Sequence, residues 1–258
     1  MKKRRSIVKS LEPFLLIFLL LFVWELICIL FRIPIYLLPK PSQVFKELFE
    51  QFYLLMQHSI ITLIESIAGL IIAMLFGVLI AVIMNAFKPL GRMLYPILVI
   101  SQAVPIIAIA PLILIWFGLG IGPKIGIVTI VCFFPIAVSS FEGFKLIDTD
   151  AIDIMRTLNA TKFQIYRHVV LPSTLPYIFS GLKIAASYCV LGAVVGEWLG
   201  ADKGLGVYMV RAMGAFRTDR LFVAILLTVF FSIIIFKVVD ILSEVLLPWV
   251  KLKQVQGG

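Results

Sequence analysis

Six long apolar runs, separated by stretches rich in charge, glycine and proline, dominate the chain. A helix needs ~20 mostly apolar residues to cross the ~30 Å hydrocarbon core of a bilayer. The runs 14–31, 60–86, 94–117, 125–141, 177–199 and 221–247 are that long or nearly so. They predict an all-α integral membrane protein of about six transmembrane helices, a single domain over 1–258. Residues 40–58 are modestly polar and predict a short surface helix. The gap 142–172 is far longer than the connections usual between bundle helices. Its apolar residues Ile152, Met155 and Leu158, then Phe163, Tyr166 and Val170, recur at helical spacing. Asn159 interrupts them, and asparagine readily takes the left-handed conformation that ends a helix. Two short helices with a turn at Asn159-Ala160-Thr161 are expected, closed by Leu171-Pro172 before the next membrane helix.

Composition excludes the soluble classes. Apolar residues make up 62% of the 258 and charged residues 14%, against about 25% charged in an ordinary soluble domain. The net charge of +9 is dispersed between the runs, so it lacks the basic stripe of a nucleic-acid binder and reads instead as membrane orientation. With the N-terminus inside, the inner segments hold thirteen Lys and Arg: Lys2, Lys3, Arg4, Arg5, Lys9, Lys88, Arg92, Lys145, Arg156, Lys162, Arg167, Lys251 and Lys253. The outer segments hold eight. Both termini and the segment 142–172 are therefore expected in the cytoplasm. The first run follows a basic cluster, as a signal peptide does, but it is long and leads into Arg32-Ile33-Pro34 with no small-residue cleavage site, so a retained helix is expected. Trp116 and Trp198 then fall at outer helix ends and Trp249 at an inner one.

Candidate chemistry is sparse. Cys28, Cys132 and Cys189 lie inside apolar runs without a C-x-x-C pair, and His58 and His168 lack a ligand pattern, so no metal site is expected. Pro105, Pro111 and Pro135 each remove a helical hydrogen bond. They mark either a translocation path lined by Ser101 and Gln102 or kinks that serve packing. Gly192, Gly196 and Gly200 repeat every fourth residue and allow close helix approach, near a gate or within the subunit. Glu25, Glu65, Lys183, Glu197, Lys237 and Asp240 sit in or near apolar runs, where an ion costs ~3 kcal/mol and must face protein or water. Glu197 beside Trp198 is the candidate outer gate.

The stretch Asp153-Ile154-Met155-Arg156-Thr157-Leu158-Asn159, followed after nine residues by Val169-Val170-Leu171-Pro172, resembles the coupling loop of binding-protein-dependent ABC importer permeases, E-A-A-x-x-x-G, nine residues, I-x-L-P. Asp keeps the charge and Asn the turn, while Ile154 and Met155 replace two alanines. The segments 91–96, 101–105 with Pro111 and 116–118, and 196–206 resemble the nitrate, sulfonate and taurine branch of that family. The resemblance implies a type I importer permease bundle, a homodimer in the cell membrane working by alternating access. Its partners would be cytoplasmic ATPase subunits, an extracytoplasmic substrate-binding protein and membrane lipid. It implies that Asp153, Arg156, Thr157, Asn159, Ala160, Phe163, Leu171 and Pro172 couple to the ATPase, and that Ser101, Gln102, Pro105, Pro111, Glu197 and Trp198 belong to the path or gate. The chain has no G-x-x-x-x-G-K-[ST] loop, so it is expected to be non-catalytic, with ATP and Mg on the partner. Segments 132–136, 196–200 and 247–249 look most like permeases for a pyrimidine precursor of thiamine, with sulfonate, taurine, nitrate and riboflavin as alternatives. The rivals from other classes are a proton-coupled secondary transporter and a membrane-embedded scaffold or enzyme.

Overall fold

The computed structural model describes residues 2–250, with side chains from Leu15 onward. The basic cluster at Lys2–Lys9 and the residues Lys251 and Lys253 therefore lie outside the described side chains. The described backbone is all helix and connection: α1 Lys2–Leu30, α2 Pro41–Glu50, α3 Phe52–Ala86, α4 Lys88–Ser101, α5 Ile106–Phe117, α6 Ile121–Lys145, α7 Thr149–Thr157, α8 Lys162–Ile165, α9 Leu171–Trp198, α10 Leu205–Gly214 and α11 Thr218–Leu246. Among the described residues, α3, α6, the continuous rod from Lys162 to Trp198, and α11 are long and apolar enough to cross a membrane. The pair α4–α5 counts as a fifth span if taken together, and Leu15–Leu30 is a shorter apolar helix. All six apolar runs of the sequence thus fold as helix.

Three details differ from expectation. The third run is not one straight span: α4 and α5 meet at 102° across Gln102–Pro105. Pro105 has extended backbone and caps α5, so the chain turns where proline cannot continue the helical ladder. The stretch 40–58 is helical only as far as Glu50 before it joins α3, whose 35 residues reach about 52 Å, well beyond a ~30 Å hydrocarbon core. Finally, Leu171-Pro172 does not close the long gap. The helix beginning at Lys162 runs through a π-helical turn at Tyr166–Val170 into α9. Pro172 lacks an N–H, and the wider turn before it absorbs the lost bond without breaking the rod.

The core is α6 gripped between α3 and α9. The approach is that of backbones. A Cβ on Gly69 of α3 would lie 2.5 Å from Val128, and one on Gly181 of α9 would lie 2.7 Å from the Pro135 carbonyl and 2.9 Å from the Ile136 Cα. Fully buried Val128, Cys132, Ile136, Ala185, Cys189 and Ala193 fill the seam. Gly192 and Gly196 also face α6, Gly192 at ordinary contact and Gly196 more tightly, where a Cβ would lie 3.3 Å from Ile127, so they pack within this chain, and Gly200 lies past the end of α9. Helices α10 and α11 cover the far side of α9, and α2 lies on α11.

Ions within the apolar runs find partners. Lys183 pairs with Asp240 at 2.9 Å, which also holds Lys237 at 3.0 Å. Glu25 accepts from the Ser42 N–H and hydroxyl, tying α1 to α2. Buried Glu47 of α2 takes Arg217 and Arg220, each at 2.8 Å. The hydrogen bonds of Asp219 push the Arg217 guanidinium still further above its usual range.

Replacing Gly181 by alanine is expected to cost about 1–3 kcal/mol through overpacking against a backbone that cannot retreat. Thermal denaturation of the purified chain measures this. Gly122→Ala, whose new methyl meets open space, is the control and should leave the midpoint near wild type.

Candidate coupling segment and translocation cavity

Residues 149–165 form a hairpin of two short helices at one end of the bundle, each bounded by local chemistry. Asp148 caps α7 by accepting from the Asp150 N–H at 2.9 Å. At the other end, Asn159 takes φ +57°. The Asn159 N–H then donates to the Arg156 carbonyl and the Ala160 N–H to the Met155 carbonyl, both at 3.0 Å, the two-bond C-terminal cap that a left-handed residue makes possible. Thr161 and Gln164 exchange bonds as a capping box that starts α8. Asp153 and Arg156 pair with each other at 2.9 Å on the exposed face of α7, and the Thr157 hydroxyl donates to the Ile154 carbonyl. The tip is not polar throughout: Ile154, Leu158 and Phe163 are 60%, 72% and 68% exposed.

The hairpin is tied to the bundle at both roots. Ahead of it, the Tyr95 hydroxyl of α4 donates to Glu142 of α6 at 2.6 Å, and the Lys145 ammonium lies 3.8 Å from the Tyr95 ring centre. Behind it, the Trp249 indole N–H donates to the Pro172 carbonyl at 3.3 Å. Trp249 is thus half-buried against the start of α9 rather than a free interfacial anchor.

Helix α4 leads from Tyr95 to a half-open cavity of about 450 Å³ bordered by the α4–α5 bend, α6 and α9. Ser101 and Gln102 supply polar groups from the bend. Phe134 and Tyr188 supply aromatic surface, and Ile106, Ile109, Ile130 and Leu191 complete an apolar wall.

A second polar group is sealed inside the bundle at the C-terminal end of α9. Glu197 is 1% exposed. One of its oxygens accepts from the Thr62 hydroxyl at 2.7 Å and the other from the Gly206 N–H at 2.6 Å. Thr62 accepts from the Leu205 N–H and His58 Nδ1 from the Gly204 N–H, both at 2.9 Å. Three side chains from α3 and α9 thereby satisfy the first N–H groups of α10, which a buried helix start needs. The fit requires glycine at 204, where φ is +132° and a Cβ would collide with the Glu197 carboxyl.

Residues 73–252 match the family described as "Binding-protein-dependent transport system inner membrane component". The chain belongs to that family. It is 37% identical over 233 residues to a probable ABC transporter permease protein of Haemophilus influenzae, covering 90% of this chain and 95% of the relative. It is 36% identical over 244 residues to the formylaminopyrimidine transport permease protein ThiX of Halalkalibacterium halodurans, covering 94% and 97%. Its fold is similar to that of a chain of an inward-facing MetNI methionine ABC transporter, with TM-score 0.66 and 21% identity over 76% of this chain and 97% of that one. The protein is the non-catalytic, multi-pass inner-membrane permease of a binding-protein-dependent ABC importer, and that membership implies binding-protein and ATPase partners.

The structure brings the sequence-selected residues of the permease into two groups. Asp153, Arg156, Thr157, Asn159, Ala160 and Phe163 share the hairpin, while Leu171 and Pro172 lie half-buried at the base of α9. Ser101 and Gln102 line the cavity; Pro105 sits between the lining residues Val104 and Ile106, and Pro111 lies within α5. Glu197 and Trp198 are not among the lining residues: Glu197 points into the sealed polar group, and Trp198 ends α9. Sequence reasoning missed α10, the Tyr95–Glu142–Lys145 contact and the partners of Glu197. The one available signal for α10 was the apolar run after Gly204.

The left-handed turn is testable directly. Asn159→Gly is expected to preserve the hairpin, whereas Asn159→Val should strain it by about 1–2 kcal/mol. The expected readout is faster protease cleavage within 149–165 for the valine variant alone.

Proposed function

We propose that this permease imports a small neutral heterocycle of the formylaminopyrimidine class, as a homodimer with both termini and the 142–172 segment in the cytoplasm. The observation that carries the coupling role is the exposed apolar tip: Ile154, Leu158 and Phe163 lie in water on an otherwise polar hairpin, a surface that calls for a partner. The partner is the ATPase. Asp153 and Arg156 supply its polar contacts, Thr157, Asn159 and Ala160 shape the turn, and Phe163 docks. ATP and Mg act on that subunit. Its closure moves the hairpin, and the movement reaches the cavity along two routes: through Glu142 and Lys145 to Tyr95 and the bend at Ser101 and Gln102, and through Leu171 and Pro172 along α9. Pro105 and Pro111 set the angle of α5 beside the path, Trp198 ends α9 beyond the cavity, and Glu197 braces that end from inside the bundle. Two copies facing each other across the exposed apolar surface of α4–α5, including Ile97, Ile100 and Ile107, enclose one pathway. A substrate-binding protein delivers the solute from outside.

The solute class rests on the likeness to the formylaminopyrimidine permease and on the cavity wall. Among the described residues the lining contains no charged side chain. The charge of a sulfonate, taurine or nitrate would go uncompensated there, whereas Gln102, Ser101 and the aromatic faces suit a flat, uncharged, hydrogen-bonding solute.

The test is reconstitution with the ATPase and binding protein in vesicles. Formylaminopyrimidine uptake should require ATP and should not be competed by taurine. Phe163→Asp should lower it at least about tenfold, the factor that ~1.4 kcal/mol of lost docking corresponds to, while the permease still folds. Uptake without ATP would sink the coupled reading, and competition by taurine or by riboflavin would sink the solute class.

A further inference from the structure

Glu65 and Lys124 take no part in the path or the hairpin, yet both are buried, Glu65 completely and Lys124 at 6% exposure. Glu65 lies on α3 one turn after Thr62, and its carboxyl faces that of Glu197. The Lys124 ammonium, from the first turn of α6, stands 3.7 Å from Glu65. As a carboxylate, neither oxygen of Glu65 has a hydrogen-bond partner among the described residues. It would oppose Glu197 acceptor against acceptor.

The donors assign the charge. Both Glu197 oxygens already accept, one from Thr62 and one from the Gly206 N–H, so Glu197 is the ionised member, and its charge also suits the N-terminus of α10. Two carboxylates against one lysine would leave a net negative charge sealed in the bundle, which costs several kcal/mol in such a site. A proton on Glu65 removes that charge. The new O–H donates to Glu197, and the ions left, Glu197 and Lys124, cancel. Two carboxyls buried against each other are expected to hold one proton between them.

We propose that Glu65 and Glu197 share one proton, carried on Glu65, and that together with Lys124 they form a positioning site that fixes the N-terminus of α10. The site lies where four helices meet. It joins α6 and α9, which both line the cavity, to α3 and α10, so it holds the ends of the cavity walls in register. Glu65 acts through Glu197 and touches no solute.

The experiment uses the full-length chain in lipid nanodiscs and needs no solute. The infrared difference between wild type and E65Q should contain a protonated-carboxyl C=O band that shifts in D2O. Glutamine is neutral and keeps a donor toward Glu197, so E65Q should fold and retain slow amide hydrogen exchange at Gly204, Leu205 and Gly206. E197Q places an NH2 against the Gly206 N–H or the Thr62 hydroxyl and should lose that protection. A missing protonated-carboxyl band, or an E65Q chain that fails to fold or loses protection at 204–206, would overturn the proposal. So would undiminished protection in E197Q. The infrared and E65Q results decide the matter even if E197Q does not fold.

Discussion

Helix α6 lies between α3 and α9 at backbone distance because positions facing it carry no side chain, and the rest of the molecule is arranged around that contact. Gly69 meets Val128, and Gly181 meets the Pro135 carbonyl. In lipid there is little hydrophobic gain from pressing one apolar helix against another, so close van der Waals packing has to supply the attraction. The Gly181 contact falls at the proline that interrupts the α6 ladder. Away from the seam, α6 and α9 are free to diverge, and the cavity opens between them beside the α4–α5 bend. A cavity wall and a packed core are thus two faces of the same helix pair.

What was legible in the sequence was local. Run length reports on membrane crossing because it depends on one helix and the bilayer. The turn at Asn159 was legible because a left-handed asparagine and its cap involve residues a few positions apart. Pro105 marked a break for the same reason, although only the structure supplies its angle of 102°. Helix α10 was hidden because its start is completed by side chains far away in sequence, His58 and Thr62. Glu197 shows the limit most clearly. Beside Trp198, at the end of an apolar run, it has the sequence context of a gate, but its oxygens are spent inside the protein on Thr62 and Gly206.

Charge is divided along the molecule according to what it must do. On the hairpin, Asp153 and Arg156 are paired but about two-thirds exposed, so their attraction is weak and either can be given up to another protein at little cost. Between helices the pairs are placed differently. Glu47 with Arg217 and Arg220, and Asp240 with Lys183, tie helices that are distant in sequence, while Lys237 joins Asp240 from within α11. Breaking the Glu47 pairs would strand a buried carboxylate. Apolar side chains follow the opposite allocation. They are buried along the α6 seam and left bare at Leu158 and Phe163.

The hairpin that carries them is capped and rooted in the bundle. Both of its short helices are capped by their own residues. The hairpin then has two roots and no slack at either. Glu142 and Lys145 grip Tyr95 ahead of it, and an unbroken helical rod runs into α9 behind it. The π turn at Tyr166–Val170 is the one place on that rod where the ladder departs from α-helical spacing. It stands between the hairpin and the cavity wall, and Gly181 lies on the same rod between that turn and Tyr188, so any rotation passed along the rod would meet the glycine contact with α6 before it reached the cavity wall.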